Sequence, residues 1–137
     1  MEGLVTILVV DDEALVRHTL EAGLRGNGYC VLQAGDGDEA LGVLASVPID
    51  LVLTDLAMPR REGLETILEI RRRFPQVKVI ALSGVFGGLY LEMARQFGAA
   101  AALAKPVRTD VLRRTVDAVL GSGVSRDRVP SRRGTAA

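Results

Sequence analysis

At 137 residues, with 48% hydrophobic and 25% charged residues, the chain has the length of one domain and enough apolar side chains to bury a core. Seventeen basic residues balance seventeen acidic ones, and a formal net charge of zero argues against DNA or an acidic membrane as a partner of the whole chain. No apolar run approaches the roughly 20 residues that a membrane span needs, and the run after Met1-Glu2-Gly3 is too short, and preceded by no basic stretch, for a signal peptide. The single cysteine, Cys30, has no internal partner and is expected as a small core residue in a reducing compartment. A cytoplasmic, unprocessed protein is the expectation.

Apolar runs alternate with helix-period segments along the chain, the pattern of a parallel α/β sheet. The first strand is expected over Val5 to Val10 and the first helix over Ala14 to Arg25, with Leu15, Leu20 and Leu24 on one face and Gly26-Asn27-Gly28 stopping it. Cys30 to Ala34 forms the second strand. Asp36-Gly37-Asp38 then makes a turn and a candidate N-cap for a helix over Glu39 to Ser46. The third strand, Leu51 to Thr54, is apolar enough to be covered on both faces.

The third helix is expected to start near Gly63 and to end before Pro75, with Leu64, Ile67, Leu68 and Phe74 inward. Val77 to Leu82 is the fourth strand. The fourth helix is placed at Leu89 to Phe97, because Gly84, Gly87 and Gly88 weaken helix propensity before it. The fifth strand covers Ala100 to Ala104, and the fifth helix Asp110 to Leu120, with Val111, Leu112, Thr115, Val116 and Val119 on one stripe. Residues 1–120 then form one domain, and residues 121–137, with arginines and no apolar period, read as a disordered tail.

The chemistry-bearing residues fall where strands stop. Asp11-Asp12 follows the first strand, Asp55 the third, Ser83 the fourth and Lys105-Pro106 the fifth. Only parallel strands bring such residues together, since an open α/β sheet binds ligands beyond the carboxyl ends of its strands. Gathered carboxylates repel, and a hard divalent cation such as Mg2+, which takes oxygen ligands, relieves the repulsion. A carboxylate beside that metal can attack phosphorus and form an acyl phosphate, with ammonium and hydroxyl groups stabilising the transferring oxygens. Asp55, ending the central strand, is the candidate nucleophile, with Lys105 and Ser83 as the stabilising groups.

Asp11-Asp12, Asp55 with Met58-Pro59 and Gly63 after it, Ser83-Gly84 and Lys105-Pro106 together resemble the receiver domain of bacterial two-component response regulators, over about Val5 to Leu120. The resemblance implies a flavodoxin-like, doubly wound sheet of five parallel strands in the order 2-1-3-4-5. It implies that Asp55 accepts a phosphoryl group from a histidine kinase or histidine phosphotransfer protein. It also implies that Asp12, Asp55 and the main-chain carbonyl of Ala57 hold Mg2+ directly, with Asp11 acting through water. Ser83 would hydrogen-bond the phosphoryl group, Lys105 would pair with it, and the Lys105-Pro106 bond would be cis. A stand-alone receiver similar to the single-domain chemotaxis regulator is the expectation. It would promote its own phosphorylation and dephosphorylation without being a metabolic enzyme, and would signal to a downstream protein with no direct contact to DNA or membrane.

Two departures from the family pattern stand out. Receivers usually carry Tyr or Phe three residues before the lysine, as part of the switch, and Ala102 is there instead. The positions two after Asp55 and two after Ser83 are Ala57 and Val85, so no polar side chain at either would act on the hydrolytic water. Val85, Phe86, Leu89, Tyr90 and Leu91 cluster at the start of the fourth helix, and Phe86 or Tyr90 is expected to replace Ala102 as the moving aromatic.

Taken singly, these residues have ordinary explanations. Asp11 and Asp12 could cap a helix, Asp55 could sit in a turn, and Lys105 could be a surface lysine. His18, the only histidine, reads as a solvated or partly packed helix residue with no partner for phosphohistidine chemistry. The competing function is a degenerate receiver that binds partners without being phosphorylated. A P-loop nucleotide hydrolase is excluded by Asp-Asp-Glu where its glycine-rich loop would stand, and an aspartate-based phosphatase by the absence of an acid two residues after Asp12.

Overall fold

The computed structural model describes residues 4–56, 62–84 and 87–121, with residues 62 and 87–91 described in backbone only. Strands and helices alternate throughout: β1 (Thr6–Val10), α1 (Ala14–Arg25), β2 (Cys30–Ala34), α2 (Gly37–Ser46), β3 (Leu51–Asp55), α3 (Glu62–Arg73), β4 (Lys78–Ser83), α4 (Gly87–Gln96), β5 (Ala101–Ala104) and α5 (Thr109–Gly121). The strands form one parallel sheet in the order β2-β1-β3-β4-β5, as expected.

Successive side chains of a strand point to opposite faces, and here they divide two cores. Leu8, Val10, Val52, Val79 and Ala81 pack with Ala40, Leu44, Ile67, Ile70 and Ala94 from α2, α3 and α4. Ile7, Val9, Leu51, Leu53, Ile80 and Leu82 pack with Leu20, Leu24, Leu112, Val116 and Leu120 from α1 and α5. Both faces of the central strands are covered, which is why β3 is buried along its whole length.

Local chemistry moves some boundaries. Helix α2 begins two residues before the expected start because Asp36 caps it, its carboxylate accepting from the Glu39 amide at 2.8 Å. Helix α4 begins at Gly87 rather than Leu89. Strands β3 and β4 continue through Asp55 and Ser83, so both residues belong to the sheet. Gly28 ends the turn after α1 with φ 86°, a conformation that favours glycine.

Three expected core residues lie elsewhere. Leu15 is 77% exposed, since at 100° per residue it stands about 140° around α1 from Leu20. Leu68 is 50% exposed, and the inward face of α3 is carried by the fully buried Ile67 and Ile70 instead, with Leu64 and Phe74 packed at its edge. Cys30 is only half-buried, because β2 is an edge strand. His18 is exposed on α1, the solvated one of the two settings expected for it. Val85, Phe86, Met58, Pro59, the main chain of Ala57, the side chains of Leu89, Tyr90 and Leu91, and the tail after Gly121 lie outside the described residues.

Candidate functional site

Strand order and register bring the acids together. Strand β1 lies between β2 and β3, so the chain reverses its direction of winding there, and the crevice opens beyond β1 and β3. Val10 pairs with Thr54, and one further step in that register sets Asp11 level with Asp55. Asp11 and Asp55 also continue the side-chain row that faces α1 and α5, the row of Ile7 and Val9 and of Leu51 and Leu53. Lys105 continues the matching row of Ala101 and Leu103 on β5. Ser83 belongs by period to the opposite row, that of Val79 and Ala81, and is buried at 1% exposure.

Carboxylate oxygens of Asp11, Asp12 and Asp55 lie within 4.8 Å of one another. Asp11 and Asp55 are buried, at 1% and 4% exposure, while Asp12 is exposed. The Lys105 ammonium reaches both buried acids, with Nζ 3.3 Å from Asp11 Oδ2 and 3.4 Å from Asp55 Oδ1. Burial disfavours the charged Lys105, but the charges of Asp55 and Asp11 outweigh it and hold its pKa above the ordinary lysine value. The Lys105-Pro106 peptide is cis. Three carboxylates against one ammonium leave two formal negative charges, and a hard divalent cation with oxygen preference fits that donor set.

The surrounding backbone holds these groups in place. The Glu13 amide donates to Asp11 Oδ1 at 2.8 Å, and the Asp11 amide donates to the Ala34 carbonyl at 3.2 Å. The Lys105 amide donates to the Ser83 carbonyl at 2.9 Å, and the Leu56 amide to the Leu82 carbonyl at 2.8 Å, so the ends of β3, β4 and β5 are tied to one another. Gly63, in the first turn of α3, lies against the chain leaving Asp55. A Cβ there would stand 2.6 Å from Leu56 Cα and 2.7 Å from the Asp55 carbonyl oxygen, closer than packed atoms come. Its place in the motif therefore has a steric basis.

Two buried or half-buried charged residues, one beside this site and one at the far end of the sheet, were not marked by the sequence pattern. Arg17 donates from NH1 to the Asp11 carbonyl at 2.7 Å and from Nε to Gln33 Oε1 at 2.9 Å. Helical period alone leaves such an arginine looking solvated. Asp50, at the opposite end of β3, is buried at 5% exposure and accepts from the Thr6 amide at 2.9 Å. Ala102 is half-buried against the core formed with Ala81 and Ala94.

A family model for the response regulator receiver domain matches residues 7–117. The transcriptional regulatory protein PdtaR of Mycobacterium tuberculosis is 39% identical over 103 residues, covering 73% of this chain and 49% of that protein. Response regulator RR06 of Streptococcus pneumoniae is 42% identical over 79 residues, covering 58% of this chain and 36% of its own. The chain thus spans about half or less of the length of these curated relatives. Among solved structures, a CheY-like receiver domain protein from Methanospirillum hungatei superposes with a TM-score of 0.81 at 27% identity, over 87% of this chain and 95% of that one. The receiver domain of NtrX from Brucella abortus superposes with a TM-score of 0.82 at 29% identity, over 85% and 99%.

Proposed function

Because the chain belongs to the response regulator receiver domain family, we propose that Asp55 is its phosphoryl acceptor and that residues 1–120 work as a phosphorylation switch. Proteins of this family are signalling proteins of two-component systems and not metabolic enzymes. Among the described residues no helix is long and apolar enough to cross a membrane. The observation that carries the reading is the Lys105 ammonium set between Asp11 and Asp55 within one cluster of three carboxylates.

In the reaction proposed, an Asp55 carboxylate oxygen attacks the phosphorus of a phosphohistidine on a histidine kinase or phosphotransfer protein. The P–O bond to Asp55 forms as the P–N bond breaks, and the imidazole leaves with its electron pair. Asp12, Asp55 and the Ala57 carbonyl would hold Mg2+, with Asp11 in its outer shell. When bound, the ion neutralises the repelling carboxylates and draws charge from the phosphoryl oxygens. Lys105 exchanges its Asp55 contact for a phosphoryl oxygen, and the Ser83 hydroxyl donates to another. Drawing Ser83 toward the phosphoryl group shifts the loop before α4, and the α4-β5-α5 face presents the new state to a downstream protein. Ala102 supplies no ring to that switch, and Phe86 or Tyr90 takes its place.

Intact-protein mass after incubation with acetyl phosphate tests the reading. A single phosphoryl gain that needs Mg2+ and disappears in Asp55→Asn is expected. No gain on folded protein would overturn it in favour of a phosphorylation-independent binding module.

A further inference from the structure

We propose that Arg17 is a positioning residue for the metal site, acting through the peptide that joins Asp11 to Asp12; the inference rests on the Mg2+ site proposed above. Of the three clustered carboxylates, those of Asp11 and Asp55 are held by burial, whereas that of Asp12 is exposed. An exposed carboxylate keeps its direction only as far as its backbone does. The Asp11–Asp12 peptide carries the carbonyl of Asp11, and that carbonyl accepts from Arg17 NH1 at 2.7 Å. On the other side of Asp11, its amide donates to the Ala34 carbonyl at 3.2 Å. The backbone leading into Asp12 is thus fastened from β2 and from α1.

The guanidinium is itself held in place. Arg17 Nε donates to Gln33 Oε1 at 2.9 Å, Gln33 Nε2 donates to Glu21 Oε1 at 2.5 Å, and Arg25 NH2 lies 2.8 Å from Glu21 Oε2. Glu21 fixes which end of the Gln33 amide faces Arg17, and Gln33 fixes the plane of the guanidinium. An arginine suits this task because its planar guanidinium donates in two fixed directions at once, a geometry that lysine's compact ammonium does not reproduce. A cation is no ligand for a metal, so Arg17 acts on the site only by orienting the groups that are. Direct hydrogen-bond partners of metal ligands typically change metal affinity by about 10–100-fold when removed, and Arg17, one peptide further out, is expected at the low end of that range.

The test is the Mg2+ dissociation constant by titration calorimetry, at a temperature where circular dichroism shows every variant folded. It compares the parent, Arg17→Ala, Arg17→Lys, Gln33→Leu and Arg71→Ala. Arg71 is the control: its NH1 donates to the Val77 carbonyl at 2.7 Å, a bond of the same kind between other elements. Arg17→Ala is expected to weaken Mg2+ binding about tenfold or more. Arg17→Lys and Gln33→Leu should weaken it by smaller factors, and Arg71→Ala should leave it unchanged while lowering stability. The Asp12 amide resonance of the metal-free protein should move in the two Arg17 variants and stay in Arg71→Ala.

Unchanged affinity in Arg17→Ala, or equal weakening in Arg17→Ala and Arg71→Ala, would overturn the inference and leave Arg17 as a structural tie. Should Arg17→Ala fail to fold, Arg17→Lys and Gln33→Leu decide by the same comparison. A parent that binds no Mg2+ would overturn the site reading itself, and this inference with it.

Discussion

Asp50 and Asp55 stand at the two ends of the same stretch of chain, one just before Leu51 and the other closing β3, and both are almost wholly buried, at 5% and 4% exposure. Their charged surroundings differ. The carboxylate of Asp50 accepts from the Thr6 amide at 2.9 Å, while the Asp50 amide donates to the Thr6 carbonyl and the Asp50 carbonyl accepts from the Lys78 amide. It thus meets backbone groups at the start of the sheet that would otherwise be buried without a partner. Asp55 meets two more carboxylates and one ammonium. Burial is common to both acids, so burial is not what marks a reactive one. A carboxylate that answers backbone donors stabilises the fold. One set among like charges and an ammonium is held in place by the fold, as Asp55, the proposed phosphoryl acceptor, would need to be.

The largest test of this contrast is a crossed pair of substitutions. Asp55→Asn is expected to abolish phosphorylation while leaving the metal-free protein at least as stable as the parent, because one of three repelling charges is gone. Asp50→Ala is expected to lose about 1–3 kcal/mol, the cost of stranding a buried donor, while the folded protein still gains a phosphoryl group. Urea unfolding and intact mass on both variants check this. Stability losses of equal size would erase the distinction.

Gly63→Ala comes next. The added methyl would meet main-chain atoms of Asp55 and Leu56 at 2.6–2.8 Å, and backbone cannot swing aside as a side chain does. A loss of about 1–3 kcal/mol is expected, with phosphorylation slowed because the chain leaving Asp55 is displaced. Gly42→Ala makes the control, as a Cβ there meets nothing within 4 Å. Parent-like melting and phosphorylation in Gly63→Ala would show that this end of β3 is held more loosely than the Asp50 end.

Mg2+ sharpens the comparison further. At ten times its dissociation constant a bound ligand stabilises by about 1.4 kcal/mol. That increment should survive in Asp50→Ala and vanish in Asp12→Asn, as read by urea midpoints with and without the ion.

The smallest effect is a pH dependence. The folded-state pKa of Lys105 lies above its unfolded value, because attraction to Asp55 and Asp11 outweighs desolvation. Its contribution to stability is therefore fully present below the ordinary lysine value and is lost as pH rises through the higher folded value. The stability difference between the parent and Lys105→Met should be flat from neutral pH to about pH 9 and shrink above about pH 10.4. A difference that grows in the alkaline range would contradict the ion pairing.

Much of this was legible in the chain. The limits of α1 and β2 and the order of elements follow from apolar period and stop signals. The acids, hydroxyl and lysine stood out because each falls at the end of an apolar run. Other residues were hidden for physical reasons. Leu15 and Leu68 are apolar neighbours of the true inward positions, and a one-residue step around a helix is enough to expose them. Asp50 sits before β3 as any turn acid would, and nothing local shows that Thr6, 44 positions away, turns its amide toward it. Arg17 and Gln33, 16 positions apart, become partners only when α1 lies back along β2.

By itself, then, the sequence determined which segments are strands and helices, that the strands are covered on both faces, and which side chains stand at the strand ends. These are properties of short stretches of chain, set by backbone preference and by the period of apolar residues. Tertiary structure alone decided that Lys105 falls between Asp11 and Asp55 and that Gly63 presses on the backbone after Asp55. It also decided that Asp50 meets the Thr6 amide and that Asp55 lies beside two other carboxylates. Those outcomes depend on strand order and register. Both are settled by how the two cores pack across the whole sheet, and the pairing of Lys105 with Asp11 spans 94 positions of chain.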